Sequence, residues 1–140
     1  MSGELLNFEL VSPEARLVSE PVKLAVIPGE AGVMGVGAGH ASLVANLKPG
    51  VVGLFAEGQD FTKDKPARRI FIAGGFADIS EAGCSVLAEE AVDVTALDVT
   101  KLTQEAQNLT EDLGIAKEEA DVSRIKAKLE LVQEKLKAAA

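Results

Sequence analysis

The chain changes its grammar near residue 92. Before that point lie all 13 glycines except Gly114, all five prolines and all five phenylalanines, and short apolar runs are cut by turn signals at intervals of about ten residues. Punctuation this dense leaves no room for a long helix, because glycine and proline both interrupt one. The segment must therefore fold as strands. Runs at 5–11, 22–27, 51–56 and 69–73 end at Ser12-Pro13, Pro28-Gly29, Glu57-Gly58 and Gly74-Gly75. Lys48-Pro49-Gly50 reads as a turn in which glycine takes a positive φ, and Ser80-Glu81-Ala82-Gly83 as the tip of a hairpin between 76–79 and 84–87.

Beyond Asp93 proline and aromatic residues disappear and apolar residues recur at helical spacing. Val99, Leu102, Ala106, Leu109 and Leu113 form one stripe, and Val122, Ile125, Leu129, Val132 and Leu136 a second. Thr95 or Asp98 caps the first helix, and Gly114 suits a left-handed residue at its end, so the second helix turns back on the first. The fold class is α+β: a β-domain over 1–92, then an antiparallel helical hairpin over 93–140, with residues 89–93 as the hinge. Lys101/Glu105, Lys117/Asp121 and Lys126/Glu130 stand four apart, the spacing of weakly stabilising surface pairs. Arg124, Lys126, Lys128, Lys135 and Lys137 outnumber the nearby acids Glu130 and Glu134; they form either a solvated face or a basic stripe that seats on an acidic partner.

Charge and composition exclude several classes of function. Fourteen basic against 22 acidic residues give a net charge of −8, which repels phosphate backbones and anionic lipid, and a chain with no Trp and no Tyr offers few platforms for stacking bases. No nucleic acid is expected as a partner. The longest uncharged stretch, 31–47, carries glycines, His40, Ser42 and Asn46 and is too short and too polar to span a bilayer, so no direct membrane insertion is expected. The acidic start of the chain lacks the basic flank of a leader. Cys84 is the only cysteine, which rules out an internal disulfide, and His40 is the only histidine, so neither a multi-histidine metal site nor a cofactor is expected. A Cys84/His40 pair would need an exposed thiol, whereas the strand around Cys84 marks it as a small buried hydrophobe. The run Gly32-Val33-Met34-Gly35-Val36-Gly37-Ala38-Gly39-His40 lacks dinucleotide and Walker spacing, and 41–47 is too short for the helix that holds phosphate.

The order of motifs resembles one family. Val26-Ile27-Pro28-Gly29-Glu30-Ala31-Gly32 with Gly35-Val36 and Gly39-His40-Ala41, then Leu47-Lys48-Pro49-Gly50, then Ile72-Ala73-Gly74-Gly75-Phe76, then Val86-Leu87-Ala88-Glu89, precede the hairpin as they do in epsilon subunits of F-type ATP synthases. The resemblance spans essentially the whole chain. It implies a flattened β-sandwich of two five-stranded sheets followed by two helices, and a noncatalytic central-stalk (rotor) subunit that couples proton flow through a c ring to ATP synthesis. Its implied partners are the gamma subunit and the c ring, with Gly35, Gly39, His40 and Ala41 at the partner interface. Without a presequence, the implied location is peripheral, on the cytoplasmic face of a bacterial inner membrane. Many relatives use the hairpin as a brake on ATP hydrolysis; here that role would fall to Arg124, Lys126 and Lys128 meeting the catalytic alpha and beta subunits. Val33 and Ala38 replace an acid and a proline common in the family. Leu97-Asp98-Val99-Thr100-Lys101-Leu102 keeps half of the nucleotide motif of some relatives but lacks its arginine, whose fork lysine does not reproduce. The other class open to the residues alone is a free-standing β-sandwich adaptor or small-ligand binding module with a helical interaction tail.

Overall fold

The computed structural model describes residues 4–139; Met1, Ser2 and Gly3, where the leader-free start was read, and Ala140 lie outside it. Ten strands run in chain order: β1 (Leu6–Val11), β2 (Arg16–Val22), β3 (Leu24–Gly29), β4 (Gly32–Val36), β5 (Leu43–Leu47), β6 (Gly50–Phe55), β7 (Arg68–Ile72), β8 (Gly75–Ile79), β9 (Gly83–Ala88) and β10 (Ala91–Asp93). A 3-10 turn (Val94–Ala96), α1 (Val99–Ile115) and α2 (Glu119–Ala139) follow. The chain divides after Asp93 into two compact units.

Pairing sorts the strands into two layers of five, β10-β7-β6-β3-β4 and β5-β8-β9-β1-β2. All pairs are antiparallel except β1 with β9. The layers join where Gly29 of β3 faces Leu47 of β5, so the implied pair of sheets is one continuous hydrogen-bonded path. Alternation decides what lies between them. Leu6, Phe8 and Leu10 of β1, Ile70 and Ile72 of β7, Ala77 and Ile79 of β8, and Cys84, Val86 and Ala88 of β9 share one buried cluster, while Asn7, Phe76, Asp78 and Leu87 point outward. Each large side chain in that cluster contributes about 1.5–3 kcal/mol by leaving water.

Glycine is needed where backbones converge. A Cβ on Gly29 would stand 2.5 Å from the carbonyl oxygen of Gly32, and Gly75, at φ 141°, would drive one into the carbonyl oxygen of Leu87 on β9. Gly50 departs from the sequence expectation: it does not take a positive φ, and its missing Cβ instead makes room for the Pro28 ring, 2.9 Å away.

The hinge, the end of α1 and the surface pairs differ from expectation, while the expected cap at Asp98 holds. The segment 89–93 is not a free hinge, because Ala91, Val92 and Asp93 pair with Ile72, Phe71 and Ile70; the change to helix falls in the 3-10 turn. Asp98 caps α1, its Oδ1 accepting the Lys101 N–H at 3.1 Å. Gly114 is not left-handed: α1 runs on to Ile115 and closes with the Ala116 N–H on the Asp112 carbonyl at 3.0 Å. The two helices pack on each other, with Leu102, Ile125 and Val132 buried and the rest of both stripes, apart from exposed Val99, half-buried. None of the three i,i+4 pairs closes among the described residues; ion pairs on α2 include Arg124–Asp121 at 3.1 Å and Lys137–Glu134 at 3.7 Å.

Gly75→Ala is expected to lower the unfolding free energy by roughly 2–4 kcal/mol, whereas Gly58→Ala, at φ 89° with nothing within 4 Å of the added Cβ, costs only about 1–2 kcal/mol; urea titration separates the two. Burial, and secondarily the charge of Asp78, pushes the Cys84 thiol from its ordinary 9.0 up to about 11. The folded state keeps this proton when the unfolded chain has lost it. The stability involved is therefore complete below pH 9.0 and fades as pH rises through about 11. Unfolding free energies measured across that window should fall with pH, and Cys84→Ala should flatten the slope.

Candidate interface at one end of the sandwich

The strand ends place two loops side by side. β4 leaves the sheet at Val36, opposite Ala25, and β5 enters at Leu43, opposite Ile79, so the connecting loop 37–42 arrives beside the β8–β9 tip at 80–83. One backbone hydrogen bond fastens them, from the Gly39 N–H to the Glu81 carbonyl at 2.8 Å, and the Asn7 N–H of β1 holds the tip through the Ala82 carbonyl at 3.2 Å. Within the tip, the Ser80 N–H donates to the Gly83 carbonyl at 2.8 Å. Gly39 sits at φ 83°, a conformation costly to any residue with a Cβ. The His40 N–H turns back to the Gly37 carbonyl at 3.3 Å, and ring atom Nδ1 lies 2.8 Å from the Ala41 carbonyl oxygen. The loop is thus tied at its backbone and at its one long side chain.

Gly39, His40 and Ala41 come together here, with His40 half-buried and the other two exposed. Gly35 stands apart from them, in β4 opposite Val26, where an added Cβ would be 3.7 Å from Leu24 Cδ1. The sequence reading missed β4, whose glycines looked like a loop, and with it the exposed apolar residues on the neighbouring edge strands: Val33 is 71% and Val44 66% accessible. It also missed the loop 56–67. There Gln59 Oε1 accepts the Ala56 N–H at 2.7 Å, Gln59 Nε2 donates to the Lys65 carbonyl at 2.9 Å, and Asp64 Oδ2 accepts the Asp60 N–H at 2.8 Å. The Thr62 hydroxyl and N–H both bond to Asp60 Oδ1 and hold that carboxyl below the usual carboxylate range. Lys23 Nζ donates to the Gln59 carbonyl at 2.7 Å and stands 5.8 Å from the Phe61 ring centre.

No catalytic arrangement emerges from these residues. Cys84 is buried in the core with its thiol protonated at neutral pH, whereas His40 lies on the end loop. Among the described residues no group of three His, Cys, Asp or Glu side chains could hold a metal ion. The glycine-rich run enters strand β4 and then β5 with no helix after it, so it does not form a strand–loop–helix phosphate site. A surface hollow of about 490 Å³ lies along β1, β2, β8 and β9 and includes Asn7, Glu9, Ser19, Asp78 and Ser85.

In the helical unit, Arg124, Lys126 and Lys128 are all exposed but do not make one stripe. At about 100° per residue, Arg124 and Lys128 lie about 40° apart, and Lys126 about 200° from Arg124. Arg124 is also engaged by Asp121. In the half-motif 97–102, Asp98 spends its carboxylate on the helix cap and Leu102 is buried.

Comparison with known proteins fits this geometry. The model of the family "ATP synthase, Delta/Epsilon chain, beta-sandwich domain" matches residues 5–94. The ATP synthase epsilon chain of Rhodospirillum centenum is 40% identical over 137 residues, 96% of this chain and 91% of the relative. That of Mesorhizobium japonicum is 45% identical over 131 residues, 94% and 91%. Among solved structures, a chain of the Euglena gracilis mitochondrial ATP synthase assembly OSCP/F1/c-ring superposes with a TM-score of 0.79 at 28% identity, covering 96% of this chain and 81% of that one. A chain of the Tetrahymena thermophila mitochondrial central stalk and c-ring, at 12% identity and a TM-score of 0.67, shares the fold across both full lengths. With the family model spanning the sandwich and epsilon chains alike over nearly the whole length, this chain belongs to the ATP synthase delta/epsilon family.

Proposed function

We propose that this chain is the noncatalytic central-stalk subunit of a proton-translocating ATP synthase, held between gamma and the c ring, and that the end carrying Gly39, His40 and Ala41, with Gly35 on the adjoining strand, is a partner-facing surface. The carrying observation is the 40% identity to an epsilon chain over 96% of the sequence. The geometry suits the task. A rotor element transmits torque only if its contact does not yield, and here the contact loop is fastened to the neighbouring tip through the Gly39–Glu81 hydrogen bond. Val44, 66% accessible and two residues past the loop, adds exposed apolar area at this end. The subunit sits peripherally on the cytoplasmic face of a bacterial inner membrane; no described helix is long and apolar enough to cross one. No observation favours the free-standing adaptor.

Residues 1–93 are the gamma- and ring-binding part, and the helical hairpin is regulatory. Arg124 and Lys128 on one face of α2, and Lys126 on the other, are the residues that reach acidic surfaces of the catalytic alpha and beta subunits.

Membranes stripped of their epsilon subunit test this directly: the chain should rebind and restore proton-driven ATP synthesis, and failure to rebind would sink the proposal. A form truncated after Asp93 should keep its β-type circular dichroism and its binding to gamma. On the reassembled complex, Arg124→Glu with Lys128→Glu and, separately, Lys126→Glu report which face of α2 restrains hydrolysis. The effective variant should raise ATPase activity toward that of the truncated form, and unchanged hydrolysis in all three would make the hairpin structural.

A further inference from the structure

The geometry points to an acceptor site for a cationic side chain, a guanidinium or ammonium group of the facing protein, formed by Nε2 of His40 and the carboxylate of Glu81. The argument starts from the His40 ring. Nδ1 lies 2.8 Å from the Ala41 carbonyl oxygen, and a carbonyl oxygen only accepts, so Nδ1 carries the hydrogen. In the neutral imidazole the other nitrogen then carries the lone pair. Nε2 is thereby fixed as an acceptor by a bond internal to the loop, independently of any partner.

The second half of the site comes from the tip. Glu81 receives the Gly39 N–H on its carbonyl, which places it beside the residue preceding His40. Its side chain is exposed and makes no ion pair or hydrogen bond among the described residues. Within loops 37–42 and 80–83 it is the only charged residue. The nearest lysine in the sequence of this end, Lys23, is committed to the Gln59 carbonyl and the Phe61 face. Two acceptors with no donor partner among the described residues favour a donor that brings positive charge. A carboxylate from the partner would meet Glu81 as a like charge, and an apolar side chain would strip water from it without replacement. The hydrogen bond from the Gly39 N–H to the Glu81 carbonyl holds the backbones of the two loops side by side, so both acceptors belong to one end of the domain before a partner arrives.

This inference rests on the reading of this end as a partner contact, and the test separates the two. Because His40 is the only histidine, nitrogen-15 spectra of the full-length protein report its tautomer without assignment. The neutral ring should be protonated at Nδ1, and protonation at Nε2 would overturn the proposal. Binding to epsilon-depleted synthase is then measured for His40→Gln, whose amide oxygen reaches the place of Nε2, for His40→Asn, which reaches only that of Nδ1, and for Glu81→Gln. His40→Gln should bind within about twofold of the unaltered protein, and His40→Asn about tenfold more weakly. Glu81→Gln should bind several-fold more weakly and lose most of the salt dependence of binding. If all three variants bind unchanged, both the proposal and the contact reading fail. If both His40 variants weaken binding equally while Glu81→Gln has no effect, the cationic donor is refuted and the contact reading survives.

Discussion

Everything in the β-domain depends on one corner where backbone replaces side chain. β3 passes from one layer to the other at Gly29, which faces Leu47 on β5 and Gly32 on β4, and β8 crosses close to β9 at Gly75. A methyl group at either position would occupy a carbonyl oxygen's place. Because the layers are joined there, the buried alternation of β1, β8 and β9 faces that of β3, β6 and β7 across a single core. The same joint fixes where β4 and β5 end, and so fixes the loop at the opposite end.

That far end shows how a scaffold with no catalytic group can still have a defined job. Loop 37–42 contains two glycines among six residues, a composition that would wander if it were free. It does not wander, because the hydrogen bond to Glu81 and the His40 ring on the Ala41 carbonyl use up its freedom before any partner arrives. The ordering entropy is spent in folding and is not charged to assembly. A stalk component needs this property more than it needs affinity from any single side chain.

The sequence made legible those elements whose signal is local. Runs with clean alternation, such as 5–11 and the 76–87 hairpin, appeared as β1, β8 and β9 with their tip in place. What escaped has a nonlocal cause. β4 reads as a glycine loop because its residues are chosen for a close pairing with β3 that only the fold creates. β2 carries Pro21, tolerable because β2 is an edge strand paired only with β1. The presumed hinge at 89–93 is tied down by β7, a strand about 20 residues earlier. Of the site, His40 and Gly39 were visible as residue types in a motif, whereas Glu81 and Gly35 acquire their positions from strand register, which one sequence does not display.

The charges of the last helix show the same limit and lead one step further. As a string, Arg124, Lys126 and Lys128 look like one basic feature, but a helix separates residues two apart by about 200°, so no flat partner surface can engage all three. Asp121 already occupies Arg124 at 3.1 Å, with both side chains more than half exposed, and such a pair holds its members weakly. A partner carboxylate can displace it at little cost. The face with Arg124 and Lys128 is therefore the one that can exchange an internal partner for an external one, whereas Lys126 has no ion pair to give up among the described residues. In a chain whose net charge is −8, that exchange is the most direct electrostatic means by which the hairpin could recognise acidic protein in preference to its own surface.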